Sequence, residues 1–428
     1  MAFRSESVVS RPASGHDDAM SKRALRILVI TPWVPYPVTG ACQQDRFAGL
    51  QLMKSLGYDV QVIAKIHSFQ DRAQVEAVFR QEKIPLTLTE HSSNPGTLLW
   101  QNMISVIKNP VLIDGSALEY ADSKYQEIVL QNVKNNQPDV IWLEYTMLWP
   151  LLHLFKPMGI PLIMKSSLNE PLNCIDEHGG SILSRLKSIP KFPGEKIAAT
   201  KSDVILAITP QEQVWYERLG AKHSFTLPLR GLSRCLSKKT HANKDVLDVI
   251  FLSSNYNMGH NRDALGFLLR DIIPAVRKRS PGAFRFHLTG KKFPHSLRKY
   301  LAEDVEETGF VPDIGTYIST MDIALCPWIS GHGMQQKVFE PLCRSLPLLT
   351  TKTGGYPFED RKELFLCRHP EEYAENLELL RNTGLRQSIS EAAYKKCETL
   401  FGEQAIKATM EAAMNTALSL HAHKPLSS

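Results

Sequence analysis

The strongest constraint on the fold of this 428-residue chain is an alternation that runs through most of it. Short β-branched or aliphatic runs recur, each followed by a glycine or proline loop and then by apolar residues at helical spacing. Residues 25–31 (LRILVIT) are the first such run. Pro32, Pro35, Pro37 and Gly40 then forbid regular structure and predict a shaped loop at a strand end. Residues 46–56 place Phe47, Leu50, Leu52, Met53 and Leu56 at helical spacing, and Gly57 stands where a C-cap belongs. Residues 59–64 (DVQVIA) read as the next strand. Such a βαβ unit demands a parallel strand pair and a helix covering one face of the sheet.

The pattern continues at 138–144, 161–166 and 203–208, with helical spacing over 194–201. It lapses between 227 and 248 into Ser, Lys, Thr, His and Asn, which marks a linker. A second series follows: strands at 249–254, 284–289, 305–311, 321–327 and 346–351, and helices at 261–279 and 314–320. Helical patterns at 370–380, 385–400 and 404–420 close the chain. Two parallel α/β sheets in series are therefore expected, divided as a flexible tail (1–24), a first domain (25–229), a linker (230–248), a second domain (249–395) and C-terminal helices (396–428) that pack back on the first domain. In open parallel sheets ligands bind beyond the carboxyl ends of the strands, so two such sheets face each other across a cleft.

The function classes are narrowed by composition. With 43% hydrophobic and 22% charged residues, the chain can bury a large core. The net charge of +6 favours anionic ligands or surfaces, but no basic run is interleaved with aromatics, so nucleic acid is not expected as a partner. Seven dispersed cysteines without a CxxC pair fit a reducing compartment, and no metal-ligand spacing occurs. No apolar run approaches the roughly 20 residues of a membrane span. The expected location is cytoplasmic, with membrane contact at most peripheral and at the inner face. Residues 181–192 mix basic and apolar side chains; a packed helix with a solvated basic face is the plainer expectation, and a segment resting on a membrane surface is the other.

The most informative stretch is 331–347 (GHGMQQKVFEPLCRSLP), set between the strands at 321–327 and 346–351. A strand, a glycine loop and a helix start form an anion site, because the first helical N–H groups lack internal partners. Lys337 and Glu340 share a helix face one turn apart. A cation there meets a phosphate, and a carboxylate accepts hydrogen bonds from a ribose diol. An ordinary surface ion pair is the alternative.

Gly333-Met334-Gln335-Gln336-Lys337-Val338-Phe339-Glu340-Pro341-Leu342-Cys343-Arg344-Ser345-Leu346-Pro347 resembles the C-terminal motif of GT-B glycosyltransferases of the retaining family 4, or group 1, superfamily. Residues 255–264, 309–313 (GFVPD) and 321–327 match in order and spacing, and Thr31, Pro32, Pro35, Pro37, Gly40 and Arg46 match in the first half. The resemblance spans about residues 25 to 415. It implies a hexosyltransferase-type enzyme of GT-B fold, two Rossmann-like parallel-sheet domains facing across a cleft, that moves a sugar from a nucleotide-diphosphate sugar to a glycan, lipid-linked or small-molecule acceptor, with retention and in a biosynthetic setting such as polysaccharide assembly. No cofactor is implied beyond the donor, and no metal is strictly required. Glu340 would hold the ribose, while Lys337 and the N–H groups after Gly333 would hold the diphosphate. Together with strand-end position, the resemblance marks Gly40, Arg46, Asn255, Gly290, Lys291, His332, Gly333, Met334, Lys337 and Glu340 as donor-binding, and Glu144, Glu170 and Lys337 as catalytic. His332 replaces a family glutamate, Ser345 a glycine, and Ser167 a histidine. One rival follows from these differences, a non-catalytic nucleotide-sugar-binding or scaffold subunit; a nucleotide-sugar epimerase of the same fold is the other.

Overall fold

The computed structural model describes residues 23–91, 114–177, 181–327 and 334–422. Two parallel sheets form as the alternation requires. The first has seven strands in the order β3-β2-β1-β4-β5-β6-β7: β1 Arg26–Trp33, β2 Asp59–Ile66, β3 Leu86–Glu90, β4 Val140–Glu144, β5 Leu162–Lys165, β6 Val204–Ala207 and β7 Ser224–Thr226. The second has six in the order β10-β9-β8-β11-β12-β13: β8 Leu247–Phe251, β9 Phe284–Thr289, β10 Val305–Gly309, β11 Ile323–Cys326, β12 Leu348–Thr350 and β13 Phe365–Leu366.

Strand pleating divides each run between two cores. In β1, Ile27 and Val29 face one apolar cluster while Leu28 and Ile30 face another. In β11, Ile323 and Leu325 join one cluster, Ala324 and Cys326 the opposite one. Burial on both faces is what a continuous aliphatic run encodes. The strands that the pattern did not predict, β3, β7 and β13, are short or partly exposed and lack such a run.

Two expected elements differ in detail. The first helix begins at Ala41, five residues before the predicted start, because Gly40 rather than Arg46 is its N-cap. The helix expected over 261–279 is a helix Gly259–Phe267, a π-turn Leu268–Ile272 and a helix Ile273–Arg279. Pro274 has no N–H to donate to the preceding turn, and the wider turn absorbs the mismatch.

Residues 230–248 do not hang free between the sheets. Arg230–Cys235 is a 3-10 turn wedged at the domain seam. Beyond it the chain is bonded along the second domain: Ser237 N–H donates to the Cys343 carbonyl at 2.9 Å, and His241 Nε2 meets the Ser345 carbonyl at 3.0 Å. Ser345 itself has φ +57, the left-handed region that favours glycine. The helix Thr383–Phe401 places Ala393, Cys397 and Phe401 in the second domain's core. The chain then crosses at Gly402, where any Cβ would lie 2.3 Å from the Glu398 carbonyl oxygen. The last helix, Glu403–Ala422, packs Ile406, Met410, Ala413, Met414 and Ala417 into the first domain's core.

One polar feature is buried at the seam. The Arg230 guanidinium donates to both oxygens of Glu144 (2.7 and 3.0 Å) and to both oxygens of Asp45 (2.7 and 3.1 Å). Its backbone N–H adds a 2.6 Å bond to Asp45. Lys165 stands 3.4 Å from Asp45, and Trp142 Nε1 donates to Glu144 at 2.9 Å. Gly49 leaves the space the guanidinium occupies; a Cβ there would sit 2.3 Å from Nη1. Two cations and two carboxylates balance, and the geometry is bidentate on both sides. Burial works against the Asp45 carboxylate, but Arg230 and Lys165 together hold it well below the usual range.

Removing one partner leaves buried charge uncompensated. The Arg230→Ala variant is expected to lose about 3–5 kcal/mol of stability, read as a drop in the thermal unfolding midpoint. Gly49→Ala is expected to shift the midpoint in the same direction, because its methyl group displaces the guanidinium.

Candidate functional site

The second domain presents a set of strand-end loops. After β8, Asn255 bridges to Lys291 after β9, with Tyr256 N–H donating to the Lys291 carbonyl at 3.0 Å and Lys291 N–H to the Ser254 carbonyl at 3.0 Å. Gly290 makes this approach possible. Its φ is +129, and a Cβ would lie 2.9 Å from the Tyr256 ring and 3.1 Å from the Ser253 carbonyl oxygen. The Lys291 ammonium lies over the Phe310 ring, 3.9 Å from its centroid, at the end of β10.

After β11, the helix Gln336–Cys343 begins without a side-chain cap. Lys337, in its first turn, donates to Asn261 Oδ1 at 2.7 Å, and Asn261 Nδ2 in turn donates to the Asn255 carbonyl at 2.9 Å. Burial lowers the Lys337 pKa. Glu340, one turn on, is buried: Gln336 Nε2 donates to Oε2 at 2.9 Å, and Arg344 donates to Oε1 at 3.2 and 3.3 Å. The structure thus brings Asn255, Lys337 and Glu340 to one end of the second sheet. His332 and Gly333, and Trp328 with them, lie outside the described residues.

Across the seam, the helix Ala41–Ser55 also begins without a side-chain cap, after Gly40 in extended backbone. Gln44 in its first turn is hydrogen-bonded to Gln336 in the first turn of the other helix. Two uncapped helix N-termini, one per domain, are therefore held together by a glutamine pair. The first N–H groups of a helix have no partner within the helix, and its start is the positive end of the helix dipole. Such a pair is suited to an anion with two charged groups in series.

Several expected site residues stand elsewhere in role. Glu144 does not face the cleft as a free acid: both its oxygens are committed to Arg230, so its position at the end of a buried strand serves the seam. Arg46 lies beneath the proline loop rather than over it. Its Nη1 donates to Thr31 Oγ1 and the Trp33 carbonyl (both 2.6 Å), its Nε donates to the Cys42 carbonyl at 3.1 Å, and it stacks against Trp33 and Tyr145. Glu170 opens the helix Glu170–Glu177 and lies 3.5 Å from Lys191, which also contacts Asp114 at 3.0 Å. Burial opposes the charge on Lys191, but Glu170 and Asp114 hold its pKa above the ordinary value.

Beside Glu170 is a buried carboxyl that the sequence did not single out. Glu195 Oε1 accepts from Thr146 Oγ1 at 2.8 Å and from Glu170 N–H at 3.1 Å, and Oε2 meets the Tyr216 hydroxyl at 2.9 Å. Burial, and then the neighbouring charge of Glu170, push Glu195 up to about 8. The Tyr216 hydroxyl is also 2.7 Å from Ser166 Oγ and has one proton to give. A protonated Glu195 satisfies the count: it donates to Tyr216, Tyr216 to Ser166, and Ser166 to the Leu168 carbonyl at 3.1 Å. This chain of donors fixes the loop that carries Ser167. Asp45, Lys165, Arg230, Asn261, Glu195 and Tyr216 had no local motif to reveal them, because each acts through a partner distant in sequence.

A cavity of about 670 Å³ lies between the domains, lined by Asn169 and Trp215 from the first, Met334, Phe339 and Tyr356 from the second, and Phe401 at the crossing. Met334 closes its contact to the first domain through its sulfur, 3.5 Å from Leu229 N–H. Among the described residues, no group of His, Cys, Asp and Glu side chains is arranged to hold a metal ion.

Comparison with known proteins follows this geometry. Residues 248–382 match the family described as "Glycosyl transferases group 1". No curated protein matches the chain significantly. Among solved structures, HepE of Anabaena in complex with UDP and glucose aligns with a TM-score of 0.63 at 15% identity, over 92% of this chain and 100% of that one. Sucrose-phosphate synthase from Thermosynechococcus elongatus aligns with a TM-score of 0.67 at 12% identity, over 92% and 100%. The E. coli trehalose-6-phosphate protein bound with UDP-2-fluoro glucose aligns with a TM-score of 0.62 at 11% identity, over 92% and 99%. The fold is GT-B, and the chain resembles the group 1 glycosyltransferases as the 333–347 motif implied.

The raised Glu195 pKa has a consequence for stability. A carboxyl is ordinarily deprotonated above about 4.3, whereas folded Glu195 keeps its proton to about 8. Between these values the folded state binds more protons than the unfolded one, so stability falls as pH rises through the window. Below the window Glu195 contributes no slope. The Glu195→Gln variant is expected to lose this decline, so the gap between its unfolding midpoint and that of the parent should widen in the variant's favour from pH 5 to about pH 8. Parallel midpoints across that range would exclude a protonated Glu195.

Proposed function

We propose that this chain, whose second half carries a group 1 glycosyltransferase domain, transfers a sugar from a nucleoside diphosphate sugar to an acceptor held on the first domain. The observation that carries this reading is the meeting of two uncapped helix N-termini at the Gln44–Gln336 contact, with Lys337 and Glu340 on one of those helices. A diphosphate offers two anionic groups in series to the two helix starts. Lys337, held on Asn261, adds the cation. Glu340 accepts the ribose diol, with a hydroxyl replacing Gln336 at Oε2. The loop of Asn255, Gly290 and Lys291 flanks the same strand ends and supplies a further cation.

Transfer breaks the bond between the anomeric carbon and the diphosphate oxygen. The electron pair leaves with the diphosphate, positive charge develops on the sugar, and the acceptor hydroxyl oxygen forms the new bond as its proton passes to the departing diphosphate. Fixed N–H dipoles and Lys337 stabilise the departing charge and need no reorganisation as it develops. Attack on the face the leaving group vacates gives retention. Glu144 is withdrawn from the catalytic set; Glu170, next in the chain to the cavity-lining Asn169, remains the candidate carboxylate with Lys191 as its counter-charge. The cavity between Asn169 and Met334 gives the acceptor room between the domains.

UDP-glucose is the first donor to test, because HepE was solved with UDP and glucose. Glu340→Ala is expected to weaken donor binding by about 10- to 100-fold in calorimetry, since a buried diol loses its acceptor. Lys337→Ala is expected to lower kcat/KM by about 100- to 1,000-fold. Unchanged affinity of Glu340→Ala for each donor the parent binds would overturn the ribose assignment. Donor binding without release of nucleotide across a broad acceptor panel would make the chain a binding subunit, and conversion of the donor without acceptor would make it an epimerase.

A further inference from the structure

The helix Ile182–Ser188 is inverted for a helix in water. It buries its serines, Ser184 and Ser188 at 1% and 2% exposure, and turns its aliphatic side chains outward. Ile182 is 81% exposed, Leu183 61% and Leu186 57%, and Ile189 just beyond the helix is 58% exposed. Phe192 extends the patch. Positions 182, 186 and 189 recur at helical spacing, so these side chains form one face rather than scattered points. Of the expected arrangement, a packed apolar side with a solvated basic side, the solvated basic side is found, but the apolar side is exposed rather than packed.

The serines do not simply tolerate burial. Ser184 Oγ donates to the Ser181 carbonyl and Ser188 Oγ to the Arg185 carbonyl, both at 2.7 Å, so their polar atoms are satisfied against the protein. Ser181 caps the helix by accepting from Ser184 N–H at 3.1 Å. At the exit, Lys191 is tied to Asp114, Ser116 and Glu170. The segment is therefore capped at its start and tied to the body of the protein at its exit, and its apolar face is held outward. A contiguous exposed patch of this kind marks a contact surface.

The occupant is indicated by charge. Arg185, Lys187 and Lys196 are exposed on or beside the same segment, and the chain carries a net charge of +6. A second copy docked through a two-fold axis would bring these cations against their own equivalents. An anionic lipid surface instead takes the aliphatic side chains into its acyl boundary and pairs the cations with phosphate headgroups. No helix among the described residues is long and apolar enough to cross a membrane, so the contact is peripheral. We propose that the segment from Ile182 to Phe192 docks the protein on an anionic lipid bilayer. This placement stands independently of the proposed transfer reaction, and it sets the docking face on the chain segment that follows Glu170 at the end of β5.

Co-sedimentation of the full chain with vesicles tests it. Phosphatidylcholine vesicles with about one-third phosphatidylglycerol should bind the protein, and pure phosphatidylcholine vesicles should bind it several-fold less. The Leu183→Asp/Leu186→Asp variant should bind the anionic vesicles at least about tenfold more weakly, with an unchanged thermal midpoint because both positions are solvent-exposed. The Arg185→Gln/Lys187→Gln variant should lose the preference for anionic lipid and its salt dependence. Absence of vesicle binding by the parent would overturn the proposal. So would a parent dimer in sedimentation velocity that Leu183→Asp/Leu186→Asp dissolves, which would make a second copy the occupant. Donor affinity should be the same in all of these variants, so failure here and failure of the nucleotide-sugar reading are separately visible.

Discussion

Arg230 joins the two halves of this protein. It sits where the chain leaves the first sheet, and its guanidinium is shared between a carboxylate from the first helix, Asp45, and one from the end of β4, Glu144. A bidentate pair on each side leaves the group few ways to rotate, so the start of the linker, the first helix and the fourth strand are fixed relative to one another. Such a network is not a cheap source of stability; a well-packed apolar replacement of the whole set can match it. What it supplies is position. Gly49 is evidence of that, because the helix gives up a side chain to let the guanidinium lie across it.

The candidate site lies one residue from this hub along both chain segments that form it. Gln44, which meets Gln336 across the seam, precedes Asp45. Leu229, whose N–H meets the Met334 sulfur, precedes Arg230. The buried charges therefore set the register in which the two helix N-termini face each other. Dipoles act on a ligand only if they are aimed before it arrives. A hub of four balanced charges behind the helix starts aims them without placing a competing net charge in the anion site.

Legibility in the sequence followed the range of each interaction. Continuous aliphatic runs announced β1, β2, β4, β8, β9 and β11 because burial on both faces is a local demand on composition. The helix start at Gln336 and the turn at Gly57 were readable for the same reason: loop, cap and helix are contiguous. Ser345 shows how a departure from pattern is absorbed. It takes the left-handed backbone expected of the glycine it replaces, and its carbonyl accepts from His241 of the docked linker. By contrast, Glu144 was misplaced because a carboxylate at a strand end looks the same whether it faces solvent or an arginine 86 residues away. Arg46 was displaced for a similar reason, since the Trp33–Tyr145 ring pair that holds it forms only in three dimensions.

The buried acids divide by the same logic into two chemical states. Asp45 and Glu144 share the Arg230 guanidinium, and Lys165 adds an ammonium beside Asp45, so that pairing holds the Asp45 charge against the cost of burial. Glu195 has only hydroxyl and backbone donors and the like charge of Glu170 nearby, so burial favours its neutral form. As a donor, neutral Glu195 orders Tyr216, Ser166 and the turn that follows β5. Ionised, it would leave the Tyr216 hydroxyl with two acceptors and one proton, and Ser166 would compete for it. With Glu195 neutral, the loop bearing Ser167 is held by hydrogen bonds rather than by an ion pair. The hydrogen bonds on Ser166 are accounted for by Tyr216 and Leu168, so the adjacent Ser167 is presented by a turn that is already fixed before an acceptor enters.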